Sequence, residues 1–379
     1  MVAFARACLK HRSFRAVLLL SVLYGAASMA WQPARAHSQA PSFKILLPSI
    51  LRSGHRIYWG ALVESTAPTA ATFMNGGVFA EFEQQVGKGM SILHWGQPWK
   101  MNGTYQPFQT EFFTNTRGHG SIPLLDWGSW ALGGGSSQPD FKLSAVAAGS
   151  HDAYVRQWAT AAKAWGYPFF LRFNWEMNGN WAFPWSAQLN GNSAADYVSA
   201  WRHVHTVFAQ QGATNVTWVW CPNISGNTTL PLADVYPGDA YVDWTCLDGY
   251  NKYDTWLSFE SVFSGAGINW LYDSYQEMLD VAPTKPIMIG ETASLEAGDG
   301  GAMKAQWVRN TLETQLPLHY PQIQAIVWFS WDAQDPDLST LVVDSSPAAL
   351  TAFNESIGSG YFAANEFSNL SGSPIKPLP

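Results

Sequence analysis

Two acids in this chain stand where an ordinary surface acid would not. Glu176 is the only carboxylate in Phe173–Trp185, which reads FNWEMNGNWAFPW, among rings and amides. Glu291 follows Gly290 near the end of the apolar run PIMIGETA. A solvated Glu needs neither setting. Two carboxyls across a cleft can divide the work of breaking a glycosidic bond. One protonates the leaving oxygen, and the other attacks the anomeric carbon or activates water. Indoles around Glu176 exclude water and favour its protonated form, which a general acid requires. Gly290 allows close approach at the attacking carboxylate. The competing role for a strand-end Glu is structural, as a helix cap or an ion-pair partner, and Arg172 is near in sequence.

Such a pair has to be held by elements that converge. Short apolar runs recur from residue 57 onward, each ending in polar or aromatic residues. They are 57–64, 91–99, 122–130, 168–179, 216–223, 243–251, 285–293 and 323–332. Segments with apolar residues at spacings of three and four separate many of them: 80–89, 151–166, 194–212, 268–282 and 302–316. Residues 345–357 read as a closing helix, with Ser345 or Ser346 as cap and Pro347 early in it. Eight buried strands alternating with helices predict an α/β chain closed as a (β/α)8 barrel. The other option is an open doubly wound sheet, weakened because no dinucleotide-type glycine loop follows the first run.

In a barrel the strand C-termini share one mouth. Glu176 then ends strand four and Glu291 strand seven. Their carboxyls could approach the roughly 5–5.5 Å separation of a retaining pair. His94, Gln97, Asp126, Asn178, Asn223, Asp248, Tyr250, Asn251 and Asp332 join them. So do Trp95, Trp99, Trp127, Trp130, Trp181, Trp185, Trp328 and Trp331. The chain holds 20 Trp, and 15% of its residues are aromatic. Rings either fill a core or line a groove for flat amphipathic ligands such as sugars. Some of these Trp are therefore expected as sugar platforms, Trp331 first among them. Arg172, Asn178, Asn223 and His94 are expected on sugar hydroxyls. Asp126 and Asp248 are expected to hold loops by hydrogen bonds. His203 and His205 lie two apart in a helical segment, so they face different sides and do not suggest a metal.

Residues 1–36 read as a signal peptide. Arg6, Lys10, Arg12 and Arg15 precede the apolar run 16–30, with cleavage after Ala36 or Ala30. A retained anchor is the alternative, but the run is short for a span. Residues 37–52 form a leader, 53–360 the barrel and 361–379 a tail expected to run over the surface. Removing 1–36 takes away five basic residues and leaves 16 basic against 28 acidic ones. That balance argues against nucleic acid or an anionic membrane as partner. It permits a neutral polysaccharide or oligosaccharide, bound by a monomer in the secreted or periplasmic space. Cys8 leaves with the signal peptide. Cys221 and Cys246 remain as a disulfide or as two buried thiols.

The motifs resemble glycoside hydrolase family 26, retaining (β/α)8 enzymes best known as β-mannanases. FNWEMNGNWAFPW is similar to the family's strand-four motif, in which the Glu before Met-Asn-Gly is the acid/base. PIMIGETA is similar to its nucleophile motif. Residues 236–251 resemble its strand-six region, where a Tyr at the position of Tyr250 supports the nucleophile. IYWGALVE, ILHWGQPW and VWFSWD extend the likeness over roughly residues 55–357. The resemblance implies a retaining endo-β-glycosidase without metal or cofactor, with Glu176 as acid/base and Glu291 as nucleophile. Sugar contacts are expected from His94, Trp95, Arg172, Trp175, Asn178, Trp181, Trp185, Asn223, Tyr250, Trp328 and Trp331. One position departs. Trp175 stands where the family has a His, and an indole can only donate, through one N–H. A β-glucan, a xylan or another exopolysaccharide therefore stands beside mannan as substrate. A non-catalytic carbohydrate-binding barrel is the reading from another class.

Overall fold

The computed structural model describes residues 55–64, 66–181, 183–253, 255–332 and 338–379. The expected signal peptide and the leader 37–52 lie outside them. Eight strands carry the apolar runs: β1 (Tyr58–Val63), β2 (Ile92–Met101), β3 (Ile122–Ala131), β4 (Phe169–Phe173), β5 (Val216–Trp220), β6 (Trp244–Asp248), β7 (Ile287–Thr292) and β8 (Ile323–Ser330). Neighbours pair in parallel from β1 through β8 back to β2, and a parallel β1–β2 pairing closes the ring. A two-residue strand, Thr104–Tyr105, adds an antiparallel flap to the end of β2. Every residue of β1 and of β4 through β8 is buried. This is what near-continuous Val, Ile, Phe and Trp runs require when both faces are covered.

The principal helices are α1 (Val78–Val86), α2 (Thr110–His119), α3 (Asp152–Trp165), α4 (Ala194–Gln211), α5 (Ser274–Val281), α6 (Ala302–Arg309) and α7 (Pro347–Ile357). Start signals explain their bounds. Ser193 and Asp196 form a reciprocal capping box at α4. Ser346 caps α7 with Pro347 in its first turn. Asp273 caps α5, so that helix begins six residues later than the periodicity of 268–282 suggests. Sequence reasoning missed α2, because TEFFTNTRGH has little apolar periodicity.

Tryptophans bind the two layers together. Trp95 of β2 packs on Phe113 of α2 at 5.0 Å between ring centroids. Trp127 of β3 meets Trp158 of α3 at 4.8 Å and Phe208 of α4 at 5.8 Å. Trp328 of β8 lies between Trp307 of α6 and Phe353 of α7, and its indole N–H donates to the Leu341 carbonyl. Side chains alternate along a strand, so these rings face the helices and not the barrel mouth. Trp95 and Trp328 are thus corrected from sugar contacts to core residues.

The tail corrects a second expectation. Tyr58, Phe170 and Trp244 pack edge on beneath the barrel, at 5.4–6.4 Å between centroids. The tail closes over them. Ile375 is buried, its N–H donates to Thr217 Oγ1, and its carbonyl accepts from Trp244 Nε1. Phe367 packs on Tyr58 and the Lys376 carbonyl accepts the Tyr58 hydroxyl. Residues 361–379 therefore plug the end of the barrel opposite the mouth.

Candidate active site

Glu176 lies just past β4, on a turn that the backbone enters under strain. Asn174 and Glu176 have φ of 48° and 52°. Asn tolerates this region, but a Glu there costs roughly 1–2 kcal/mol. Neighbours hold the turn. Asn174 Oδ1 accepts from the Ser129 N–H and its amide donates to Ser129 Oγ. The Glu176 N–H donates to the Cys221 carbonyl at 2.7 Å, past the end of β5. The strain aims the carboxyl, which accepts from Asn223 Nδ2 at 2.6 Å and from Trp181 Nε1 at 2.8 Å. Arg172 does not hold it. Burial, reinforced by the charge of Glu291, pushes the Glu176 carboxyl up to about 7.

Glu291 reaches the same space by a local irregularity. A side chain on Gly290 would strike Cys246 Sγ, Asp248 Oδ1 and Cys221 Sγ, so that position faces the barrel interior. Strict alternation would turn the next residue outward. The register slips between Leu247 and Asp248 against β6, and between Ile289 and Thr292 against β8. Irregularities of this kind re-aim a side chain. Glu291 consequently accepts from the Tyr250 hydroxyl and from Arg172 Nη1, the latter at 3.2 Å. Gly290 has a different reason from the one expected. It makes room for the Cys221–Cys246 disulfide, which joins the end of β5 to β6.

Arg172 is fully buried and bridges three carboxylates: Asp126 at 3.2 Å, Asp248 at 2.5 Å and Glu291 at 3.2 Å. His94 Nε2 lies 2.9 Å from the other Asp126 oxygen. Atoms of His94, Asp126 and Glu291 converge within 4.8 Å of one another. The guanidinium already contacts both carboxylates there, so a cation stands where a metal would. Four buried acids face one guanidinium in this site. A proton kept on Glu176 relieves that imbalance.

The residues expected on sugar hydroxyls are accordingly reassigned. Arg172 clamps the acids. Asn178 exchanges hydrogen bonds with the Asn223 backbone, and Asn223 holds Glu176. Tyr250 orients Glu291. His94 serves Asp126 through one nitrogen, while Nδ1 has no hydrogen-bond partner among the described residues. Trp175 and Trp185 are buried against each other and Phe183, with Trp185 Nε1 on the Trp175 carbonyl. They brace the Glu176 turn and do not offer a face to a ligand. Of the eight Trp grouped at the mouth, only Trp181 is not buried. Trp331 is 6% exposed and stands beside Phe329, whose ring meets Tyr250 edge on. Lys252 was missed. Its ammonium lies 4.5 Å from the Tyr250 ring centroid, and its charge counters the upward push on Glu176. Elsewhere, His203 pairs with Asp152 and His205 packs on Trp218, away from one another's partners.

Comparison with known proteins agrees with the fold. Residues 117–267 match the model of glycosyl hydrolase family 26. Endoglucanase H of Acetivibrio thermocellus is 34% identical over 293 residues, which are 74% of this chain and 29% of that protein. A β-1,3-xylanase of a Vibrio species is 28% identical over 156 residues, 39% of this chain and 28% of that protein. The chain thus spans less than a third of the length of either relative. Among solved structures, a β-mannanase from Bacteroides ovatus superposes with a TM-score of 0.57 at 17% identity, covering 86% of this chain and 95% of the other. An endo-β-1,4-mannanase from Cellulomonas fimi gives 0.59 at 18% identity, covering 85% and 74%. At these identities the structural likeness speaks for the fold.

Proposed function

Because this chain belongs to glycosyl hydrolase family 26, we propose that it is a retaining, endo-acting β-glycosidase whose substrate is a β-glucan. The observation that carries the reading is the unequal treatment of two neighbouring carboxyls. Glu176 is buried and held by an amide and an indole, with its proton favoured up to about 7. Glu291 is oriented by a guanidinium and a phenol. The carboxyl that keeps its proton suits the acid, and its neighbour, aligned by a guanidinium and a phenol, suits the nucleophile.

Glu291 Oε attacks the anomeric carbon while Glu176 gives its proton to the departing glycosidic oxygen, and a glycosyl ester forms on Glu291. Glu176, now ionised, takes a proton from water, whose oxygen attacks the same carbon and releases Glu291. Tyr250 and Arg172 keep Glu291 aligned through both steps. Trp181 and Asn223 keep Glu176 directed at the leaving oxygen.

The substrate rests on two supports. The relative matched over most of the chain is named an endoglucanase. Trp175 also replaces the His of the mannanase-like pattern and is packed under the turn, leaving no imidazole there for a sugar hydroxyl. The basic, apolar N-terminus supports action outside the cytoplasm. Release of reducing ends from mixed-linkage β-glucan, β-mannan and xylan is the test, with Glu176→Ala and Glu291→Ala alongside. Preferential cleavage of β-glucan, abolished in both variants, is expected. Preference for mannan would overturn the substrate. Equal release by wild type and variants would overturn the catalytic assignment, and binding of polymer without any release would make this a carbohydrate-binding barrel.

A further inference from the structure

The strand-end indoles leave little open aromatic surface, yet a polysaccharide needs more than the ring being cleaved. Two loops beside the carboxyls supply it. The first follows β6. Asn251 fastens it to the end of β7, taking its N–H to the Ala293 carbonyl at 3.0 Å and its amide to Ser294 Oγ at 2.9 Å. Asn251 Oδ1 accepts from the Leu257 N–H, which closes the loop. Between these anchors Lys252 and Tyr253 project, directly after the Tyr250 that orients Glu291.

The second segment carries Trp270. Its carbonyl accepts from the Asn227 N–H at 3.1 Å, Gly226 and Leu271 form an antiparallel bridge, and the Tyr272 N–H donates to the Ser225 carbonyl. It is thereby stitched to the loop after β5, which begins at Asn223, the partner of Glu176. That loop closes on the Glu176 turn, where the Leu230 N–H donates to the Asn178 carbonyl at 2.8 Å.

Tyr253 and Trp270 meet edge to face, 4.7 Å between centroids and 71° between planes. Tyr253 is 36% exposed and Trp270 half-buried. Desolvation, and after it the charge of Glu176, push the Tyr253 phenol up to about 12. The ring therefore has an open side and a side within electrostatic reach of the acid/base. We propose that Tyr253 and Trp270 form a stacking subsite for a pyranose ring on the leaving-group side of the cleaved bond.

The proposal rests on the retaining-glycosidase reading above. An exposed ring braced edge to face by a half-buried one suits the C–H face of a sugar. Its place beside Glu176 assigns it to the aglycone, because that acid protonates the bond to the leaving group.

Tyr253→Ala and Trp270→Ala are assayed on mixed-linkage β-glucan and on β-cellobiosyl fluoride, which puts no ring on the leaving-group side. A fall of roughly tenfold in kcat/KM on the polymer is expected. Cellobiosyl fluoride hydrolysis should stay within about twofold, and Tyr253→Phe should keep most of the polymer activity, since the ring is retained. Unchanged polymer kinetics, or equal losses on both substrates, overturn the subsite. If the wild type cleaves nothing, the function fails separately. Affinity electrophoresis in β-glucan, mannan and xylan gels then decides the subsite. Retardation that both alanine variants lose supports it. Retardation that they retain, or none in any gel, overturns it.

Discussion

Glu176 illustrates how one residue acquires a role from its surroundings. Its carboxyl is buried, beside another acid, and among the described residues accepts from Asn223 and Trp181, and the neutral form is favoured up to about 7. In the proposed reaction this proton goes to the leaving group. Activity on a polymer should therefore fall as pH rises through about 7. Glu291 is the second cause of the shift, so Glu291→Gln should lower the Glu176 pKa, read by carbon-detected NMR titration of its carboxyl. No downward movement would remove Glu291 from the account. The sign for stability follows from the same shift. A raised carboxyl binds more protons folded than unfolded, so its contribution is full below the unfolded value of 4.5 and is lost as pH rises toward 7. At this scale much was legible. Glu176 and Glu291 stand out by their settings, and the structure brings them into one buried cluster with Arg172. Asn223, Asn178, Arg172 and His94 were found as site residues with the wrong task, because sequence shows that a polar group points at a mouth but not which protein atom meets it first. Tyr253, Trp270 and Lys252 were missed because they stand on loops and not at strand ends.

At the scale of elements, the barrel depends on rings facing away from the chemistry. Trp95, Trp127 and Trp328 fill the layer between strands and helices. Trp95→Ala and Trp328→Ala should each cost roughly 3–5 kcal/mol, the range for large-to-small aromatic core changes. Chemical denaturation measures it, and KM for polymer should be unaltered in whatever fraction stays folded. A raised KM with unaltered stability would return these residues to the sugar. The strands were legible as apolar runs, and their order follows from short connections and parallel pairing. The bulge at β7 was not. A one-residue slip depends on how three strands fit around Gly290 and the disulfide, and no local propensity encodes it.

For the molecule as a whole, the tail is part of the barrel. Ile375 and Phe367 cover the rings of Tyr58, Phe170 and Trp244 at the end opposite the site. Deleting 373–379 should lower the Tm by several degrees, since exposing even a few buried groups costs a kcal/mol or more. The Glu176 and Glu291 chemistry lies at the other end, so activity per folded molecule should persist at low temperature. An unchanged Tm would show that the plug adds nothing. A Gly-, Ser- and Pro-containing tail reads as a surface segment because its few apolar residues are scattered. Their burial becomes visible only when the closed ring presents a hollow of the right size.

What the amino-acid sequence determined by itself was periodic or chemical: eight buried strands, the helices with clear apolar spacing, and two acids in settings that no surface acid needs. These are local signals, carried within a dozen residues. The tertiary structure alone decided which partners those groups meet. Arg172 goes to three acids and not to a sugar. The mouth indoles go mostly to the core. Gly290 yields its space to a disulfide, and two loop rings come together edge to face. Each outcome depends on residues distant in sequence competing for the same volume, and such a competition is settled only when the ring closes.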